Sequence, residues 1–129
     1  MNKFYYPAIF EPEETGYSVY VPDIAGCVSQ GETLEEAVAM IEEAVGLALE
    51  GMPEKDFPKA SLPQDIELKN RQFAMLVGFD KLAYEKKYNS RSVKKTLSIP
   101  AWLNTLAEEK HLNFSSILQY ALKKELRVE

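Results

Sequence analysis

The chain has 129 residues, 46% of them apolar and 27% charged, which suits one ordinary domain or two very small ones and a soluble folded protein rather than a disordered one. No apolar run reaches the ~20 residues that span a bilayer, and the first residues lack the basic stretch and apolar core of a secretory signal. The net charge of −5 averages an acidic front, −10 over residues 1–57, with a basic back, +5 over residues 81–129, so nucleic acid is repelled by one end and attracted by the other.

Lys3 to Phe10 is rich in aromatics and reads as a strand, with Pro7 arguing for an edge position or an irregularity. Glu11 to Gly16 is a turn, and Tyr17 to Val21 a second strand, so the two make a hairpin. Pro22 to Gly26 has turn chemistry, in which Asp23 caps its own backbone. Cys27 to Gln30 reads as a third short strand. Cys27 is the single cysteine; it has no internal disulfide partner, which fits a reducing cytoplasm, and reads as a small buried apolar residue.

A helix follows. Thr33 is its N-cap and Glu36 completes a capping box. Leu34, Ala37, Val38, Ile41, Val45, Ala48 and Leu49 share one side at helical spacing. Glu32, Glu35, Glu36, Glu42, Glu43 and Glu50 take the other. Gly51 and Pro53 stop the helix. Met52 to Asp65 is a loop. Ile66 to Leu68 and Gln72 to Phe79 read as strands, the latter buried and central. Leu82 to Tyr88 reads as a short helix, and polar Asn89 to Ser92 marks a boundary. The chain thus divides into residues 1–88 and 89–129. The front is an α+β layer, three strands, a helix and a strand that returns beside the first.

In Ser92 to Ile99 the side chains alternate, with Val93, Leu97 and Ile99 on one face and Lys94, Thr96 and Ser98 on the other. Pro100 then opens a helix over Ala101 to His111 with Leu103, Leu106 and Ala107 on one face. Asn113 caps a second helix that buries Phe114, Ile117, Leu118, Ala121, Leu122 and Leu126. A unit this small does not stabilise itself, and its one strand has two open edges. A two-fold dimer answers both needs: two strands make an antiparallel ribbon and four helices share a core. Such a ribbon fits the DNA major groove, with Lys94, Thr96 and Ser98 facing base edges. The backbone N–H groups at Asn113, Phe114 and Ser115 suit a phosphate.

These residues, Lys-Lys-Thr-Leu-Ser-Ile-Pro before a helix and Asn-Phe-Ser-Ser-Ile-Leu-Gln-Tyr-Ala-Leu after a polar turn, are similar to the ribbon-helix-helix repressors. The resemblance puts Lys94, Thr96 and Ser98 at base-reading positions and Asn113 and Ser115 at the phosphate clamp. His111 departs from the pattern, standing where the family often has Gly at a left-handed helix end.

The front of the chain carries a second resemblance. Tyr6-Pro7-Ala8, Gly16-Tyr17, Val21-Pro22-Asp23, Gly26-Cys27, Gly31-Glu32-Thr33 and Glu36-Ala37, each at fixed spacing, resemble the HicB-type antitoxins of HicAB type II toxin–antitoxin systems. The resemblance implies a partial ribonuclease-H-like fold. It also implies a partner, a small basic HicA-type toxin that cleaves messenger RNA, neutralised by the front domain, and autorepression through operator binding by the back. The acidity of residues 1–57 independently suits a basic partner. Candidate toxin contacts are the turn Glu11, Glu13, Glu14 and the helix face Glu35, Glu42, Glu43; an ordinary solvated helix face accounts for the same charges.

Catalysis through metal-bound carboxylates such as Asp23 and Glu36 is the enzyme alternative, disfavoured because the strands supply no interior carboxylate. His111 is the one histidine, which leaves no Ser-His triad or His metal site within a chain. No phosphate-binding Gly motif is present. The expectation is a cytoplasmic antitoxin and DNA-binding repressor, not an enzyme, with no cofactor and no membrane association. It would be a homodimer through its C-terminal domain, or a tetramer if the N-terminal domains also pair. The other reading is a stand-alone ribbon-helix-helix transcriptional regulator whose front domain senses a ligand.

Overall fold

Aromatic and small apolar side chains from Lys3 onward build β1 (Lys3–Pro12), which the tight Gly16 turn joins to β2 (Tyr17–Tyr20). Gly16 sits at φ 83, and a Cβ there would stand 2.2 Å from the Gly31 carbonyl oxygen, so only glycine fits. In the computed structural model, which describes residues 3–129, β3 (Val28–Gly31) and β4 (Phe73–Asp80) complete an antiparallel sheet in the order β3-β2-β1-β4. The strand after the helix does lie beside the first.

One expectation about position is reversed and another is refined. β4, expected to be central, is an edge strand, and β1, for which Pro7 argues an edge position or an irregularity, is internal in the sheet yet unpaired on one side at Pro7 itself. The register explains why Pro7 is tolerated. β2 pairs only with Ile9 to Pro12, so at Pro7 the strand has a neighbour on the β4 side alone. The Gly78 N–H turns away from β1 to the Glu42 carboxylate at 3.1 Å. Antiparallel pairs alternate between bonded and non-bonded, so Tyr5↔Gly78 and Pro7↔Leu76 are both non-bonded, and the donor Pro7 lacks would face the vacant side.

Helix α1 (Leu34–Leu49) starts as the sequence predicts: the Glu36 N–H donates to Thr33 Oγ1 at 3.1 Å, and the Glu32 N–H donates to the Glu36 carboxylate at 3.3 Å. Ala37, Ile41, Val45 and Leu49 are buried against Tyr6, Ala8, Phe10, Val19, Val77 and Phe79. Each large side chain so enclosed contributes about 1.5–3 kcal/mol. Cys27 is free and buried in the same core, and burial pushes its thiol up. Gly46 lets the Tyr84 ring of α2 (Lys81–Tyr88) close on α1, where a Cβ would stand 2.6 Å from it.

The 52–72 segment is held down by its own polar groups. Tyr6 Oη donates to the Pro58 carbonyl at 2.7 Å, and its pKa is raised by burial and by the nearby Asp23 charge. Asp23 was expected to cap its own turn; instead its carboxylate accepts from the Ser61 N–H at 2.8 Å and Oγ at 2.7 Å. The turn leaves it free because backbone bonds among Val21, Ile24 and Cys27 already close it. Ile66 to Leu68, expected to be a strand, joins no ladder. The Ile66 N–H closes the 3₁₀ turn Pro63–Asp65, and the extended backbone of Ile66 has no neighbour to pair with.

The chain divides into two compact units, Met1–Arg91 and Ser92–Glu129. The second holds helices α3 (Ala101–Glu109) and α4 (Phe114–Leu126). His111, at φ 53, takes the left-handed place between them. Its N–H donates to the Glu108 carbonyl at 3.0 Å and that of Leu112 to Ala107 at 3.1 Å, which satisfies the last carbonyls of α3. Asn113 caps α4 through Oδ1, which accepts from the Ser116 N–H at 3.0 Å.

Here two further expectations are corrected. Ser92 to Ile99 forms no strand: it joins no ladder of the sheet. Phe114, Ile117, Leu118, Ala121, Leu122 and Leu126 are not buried; neither helix contains a buried residue. Two short helices present one apolar side each, and a single copy cannot close a core around them.

Candidate functional site

The strand register gathers the acidic surface. Pro12↔Tyr17 and Tyr17↔Gly31 are successive partners, so the β1–β2 turn lies beside the end of β3 and the start of α1. A shallow pocket of about 600 Å³ opens there, lined by Glu13, Tyr17, Gln30, Glu32, Glu36 and Met40 among others. Glu13 is steadied by Ser18 Oγ, which donates to it at 2.8 Å. Carboxylates converging beside exposed Met40 suit a cationic group on an aliphatic stem better than a neutral ligand.

The six acidic candidates divide by what they already hold. Glu13, Glu14, Glu35 and Glu43 are exposed. Glu11 is half-buried and accepts from Gln72 Nε2 at 3.0 Å, tying β1 to the residue before β4. Glu42 is half-buried and occupies the Gly78 N–H on the β4 edge. Both therefore have structural duties. The sequence puts Glu32 on the polar helix side and gives Glu36 a capping-box role and a place in the enzyme alternative, but groups neither with Glu13. The signal that could have placed them with Glu13 was the Gly31-Glu32-Thr33 junction, where strand meets helix cap.

Asp23 and Glu36, imagined together in a metal cluster, have separate partners, Ser61 and the Glu32 N–H. No group of three or more potential metal-ligating side chains occurs among the described residues. No helix among them is long and apolar enough to cross a membrane.

In the second unit Lys94, Thr96 and Ser98 are all exposed on the stretch ahead of Pro100, as is Ser115 on the first turn of α4. Asn113 spends its side-chain oxygen on the helix cap, so what it leaves open is the backbone donors of that turn. Large apolar side chains are exposed in the same unit. Leu97, Ile99, Leu103, Leu106, Ile117 and Leu122 are each between about two fifths and three fifths exposed.

A family model described as HicB-like antitoxin of bacterial toxin-antitoxin system matches residues 6–121. Among curated proteins, an uncharacterized 14.9 kDa protein of Haemophilus phage HP1 is 45% identical over 58 residues, 43% of this chain and 44% of that protein. Antitoxin HicB 2 of Photorhabdus laumondii is 44% identical over 45 residues, 35% of this chain and 32% of the relative. The match thus spans less than half the length of either relative. A solved toxin–antitoxin complex from Streptococcus pneumoniae contains a chain that superposes with a TM-score of 0.60 at 28% identity, over 95% of this chain and 99% of that one.

Proposed function

The chain belongs to the HicB-like antitoxins of bacterial toxin–antitoxin systems, regulatory proteins rather than enzymes, and we propose that it neutralises a HicA-type mRNA-cleaving toxin and represses its own operon. In this reading residues 1–88 are a partial ribonuclease-H-like domain that covers a small basic toxin. Residues 89–129 are a ribbon-helix-helix domain that dimerises and binds operator DNA in the cytoplasm.

The observation that carries the reading is the contrast in burial and charge between the units. The first has its own core and a carboxylate-lined surface at the β1–β2 turn; the second has none of its apolar side chains buried. A second copy would supply both a partner for Ser92 to Ile99 and a lid for α3 and α4. The resulting ribbon would display Lys94, Thr96 and Ser98 twice, with the α4 starts at Asn113 and Ser115 on phosphates. Glu13, Glu14, Glu35 and Glu43, together with Glu32 and Glu36, are the toxin contacts, while Glu11 and Glu42 shape the surface from within. Pairing of the front domains would extend the dimer to a tetramer.

Two measurements test this. Co-expression with the product of a small basic reading frame beside the gene should restore growth, and that product should co-purify; loss of rescue on Glu13→Lys plus Glu36→Lys is the expected outcome. In a gel shift on the gene's own promoter, Lys94→Ala plus Thr96→Ala should abolish the preference for promoter over scrambled duplex. Unchanged affinity and unchanged salt slope would sink the ribbon assignment.

A further inference from the structure

The ribbon unit is an under-charged DNA binder. Residues 92–129 hold six basic groups, Lys94, Lys95, Lys110, Lys123, Lys124 and Arg127, against Glu108, Glu109, Glu125 and Glu129, a surplus of only two charges. The affinity of such proteins comes largely from cations on phosphates. Immediately ahead of the unit stands a denser source. From Lys86 to Arg91 the sequence KKYNSR adds Lys86, Lys87 and Arg91 with no carboxylate among them. All three are exposed, and among the described residues none takes part in an ion pair.

Local structure keeps these cations out of ion pairs. The adjacent acid, Glu85, accepts from Asn89 Nδ2 at 3.0 Å. Asn89 also closes α2 through its backbone N–H, which donates to the Glu85 carbonyl at 2.8 Å, and its Oδ1 accepts from Arg91 Nη1. Asn89 thus occupies Glu85, orders the helix end and holds Arg91 without cancelling its charge. α2 itself is anchored to the acidic unit by Tyr84 at Gly46. The run is therefore a basic end on an otherwise acidic body, joined to the ribbon by covalent chain. Arg91 is three residues from Lys94, no more than about 10 Å of extended backbone, a reach comparable to the ~12 Å width of the major groove.

We propose that Lys86, Lys87 and Arg91 bind the DNA phosphate backbone flanking the ribbon, supplying affinity without sequence preference. This rests on the reading of residues 89–129 as a DNA-binding dimer. Two copies would bring six such contacts. At about 0.9 slope unit per phosphate, they account for up to ~5 units in the plot of log affinity against log salt.

The test compares full-length protein with K86Q/K87Q/R91Q on a labelled promoter duplex and on a scrambled duplex of equal length, from 50 to 300 mM salt, roughly the range over which such slopes are read. The expected result is a slope smaller by at least ~2 units and a tenfold or greater loss of affinity near 150 mM salt, with the promoter-to-scrambled ratio unchanged. K86R/K87R should keep the wild-type slope. Equal slopes for wild type and triple variant overturn the proposal. A fall in slope on both duplexes with no promoter preference in the wild type upholds these phosphate contacts and rejects the ribbon reading instead. Tighter binding of single-stranded RNA than of duplex, lost in the triple variant, reassigns the run to RNA and overturns it as a DNA contact. An unchanged melting temperature for the triple variant confirms that exposed charge, not folding, was altered.

Discussion

The two units solve the problem of burying apolar surface in opposite ways. Unit Met1–Arg91 wraps a sheet around one helix and encloses Phe10, Ile41 and Val45 almost completely. Unit Ser92–Glu129 has sound helix ends, with Asn113 capping and His111 in the left-handed turn, yet encloses nothing. Local rules thus suffice to form a helix but not a core. The difference teaches that sound helix ends do not make a core: the second unit leaves its apolar side chains uncovered, while the first encloses its own.

The largest expected effect strikes the partner-dependent unit. Ile117→Asp should abolish dimer formation and promoter binding, because about half of this residue is exposed and a second copy would bury that half, where a carboxylate has no partner. Size-exclusion chromatography with light scattering should give the monomer mass, while thermal unfolding of the first unit stays in place. A retained dimer would break the comparison. Next comes Phe10→Ala, which removes a fully buried ring stacked on Phe73 with centroids 5.4 Å apart. The loss should be about 3–5 kcal/mol in urea denaturation, confined to the first unit.

Gly31→Ala follows. A Cβ there would stand 2.4 Å from the Ala37 backbone nitrogen, and backbone cannot swing aside. We expect about 1–3 kcal/mol, together with weaker toxin capture, since the strain falls at the pocket rim beside Glu32 and Glu36. The smallest is Asn113→Ala, about 1 kcal/mol from loss of the cap. It sharpens the comparison because it should appear as a lower dimer affinity in sedimentation, with no change in the melting of the first unit.

Much of this was legible in order along the chain. Thr33 and Glu36 announced the start of α1, Asn113 that of α4, and the Glu11 to Gly16 turn between two strand-like runs the β1–β2 hairpin, because caps and turns are decided by neighbours within a few residues. The acidic site was legible only in part. Glu13, Glu32 and Glu36 meet because β2 and β3 align Tyr17 with Gly31, a register that no short stretch specifies. Glu11 and Glu42 looked like equal surface charges until Gln72 and the Gly78 N–H were found on them.

By itself the sequence determined the helices, the β1–β2 hairpin, the caps at Thr33 and Asn113, the opposed charges of the two ends and the family pattern, all carried by local spacing and residue chemistry. Only the tertiary structure decided that β4 is an edge and β1 internal, that Asp23 holds Ser61 rather than its own turn, and that the C-terminal helices remain uncovered. Those outcomes depend on which distant groups share one sheet, one loop or one core, and distance in space is set by packing rather than by order in the chain.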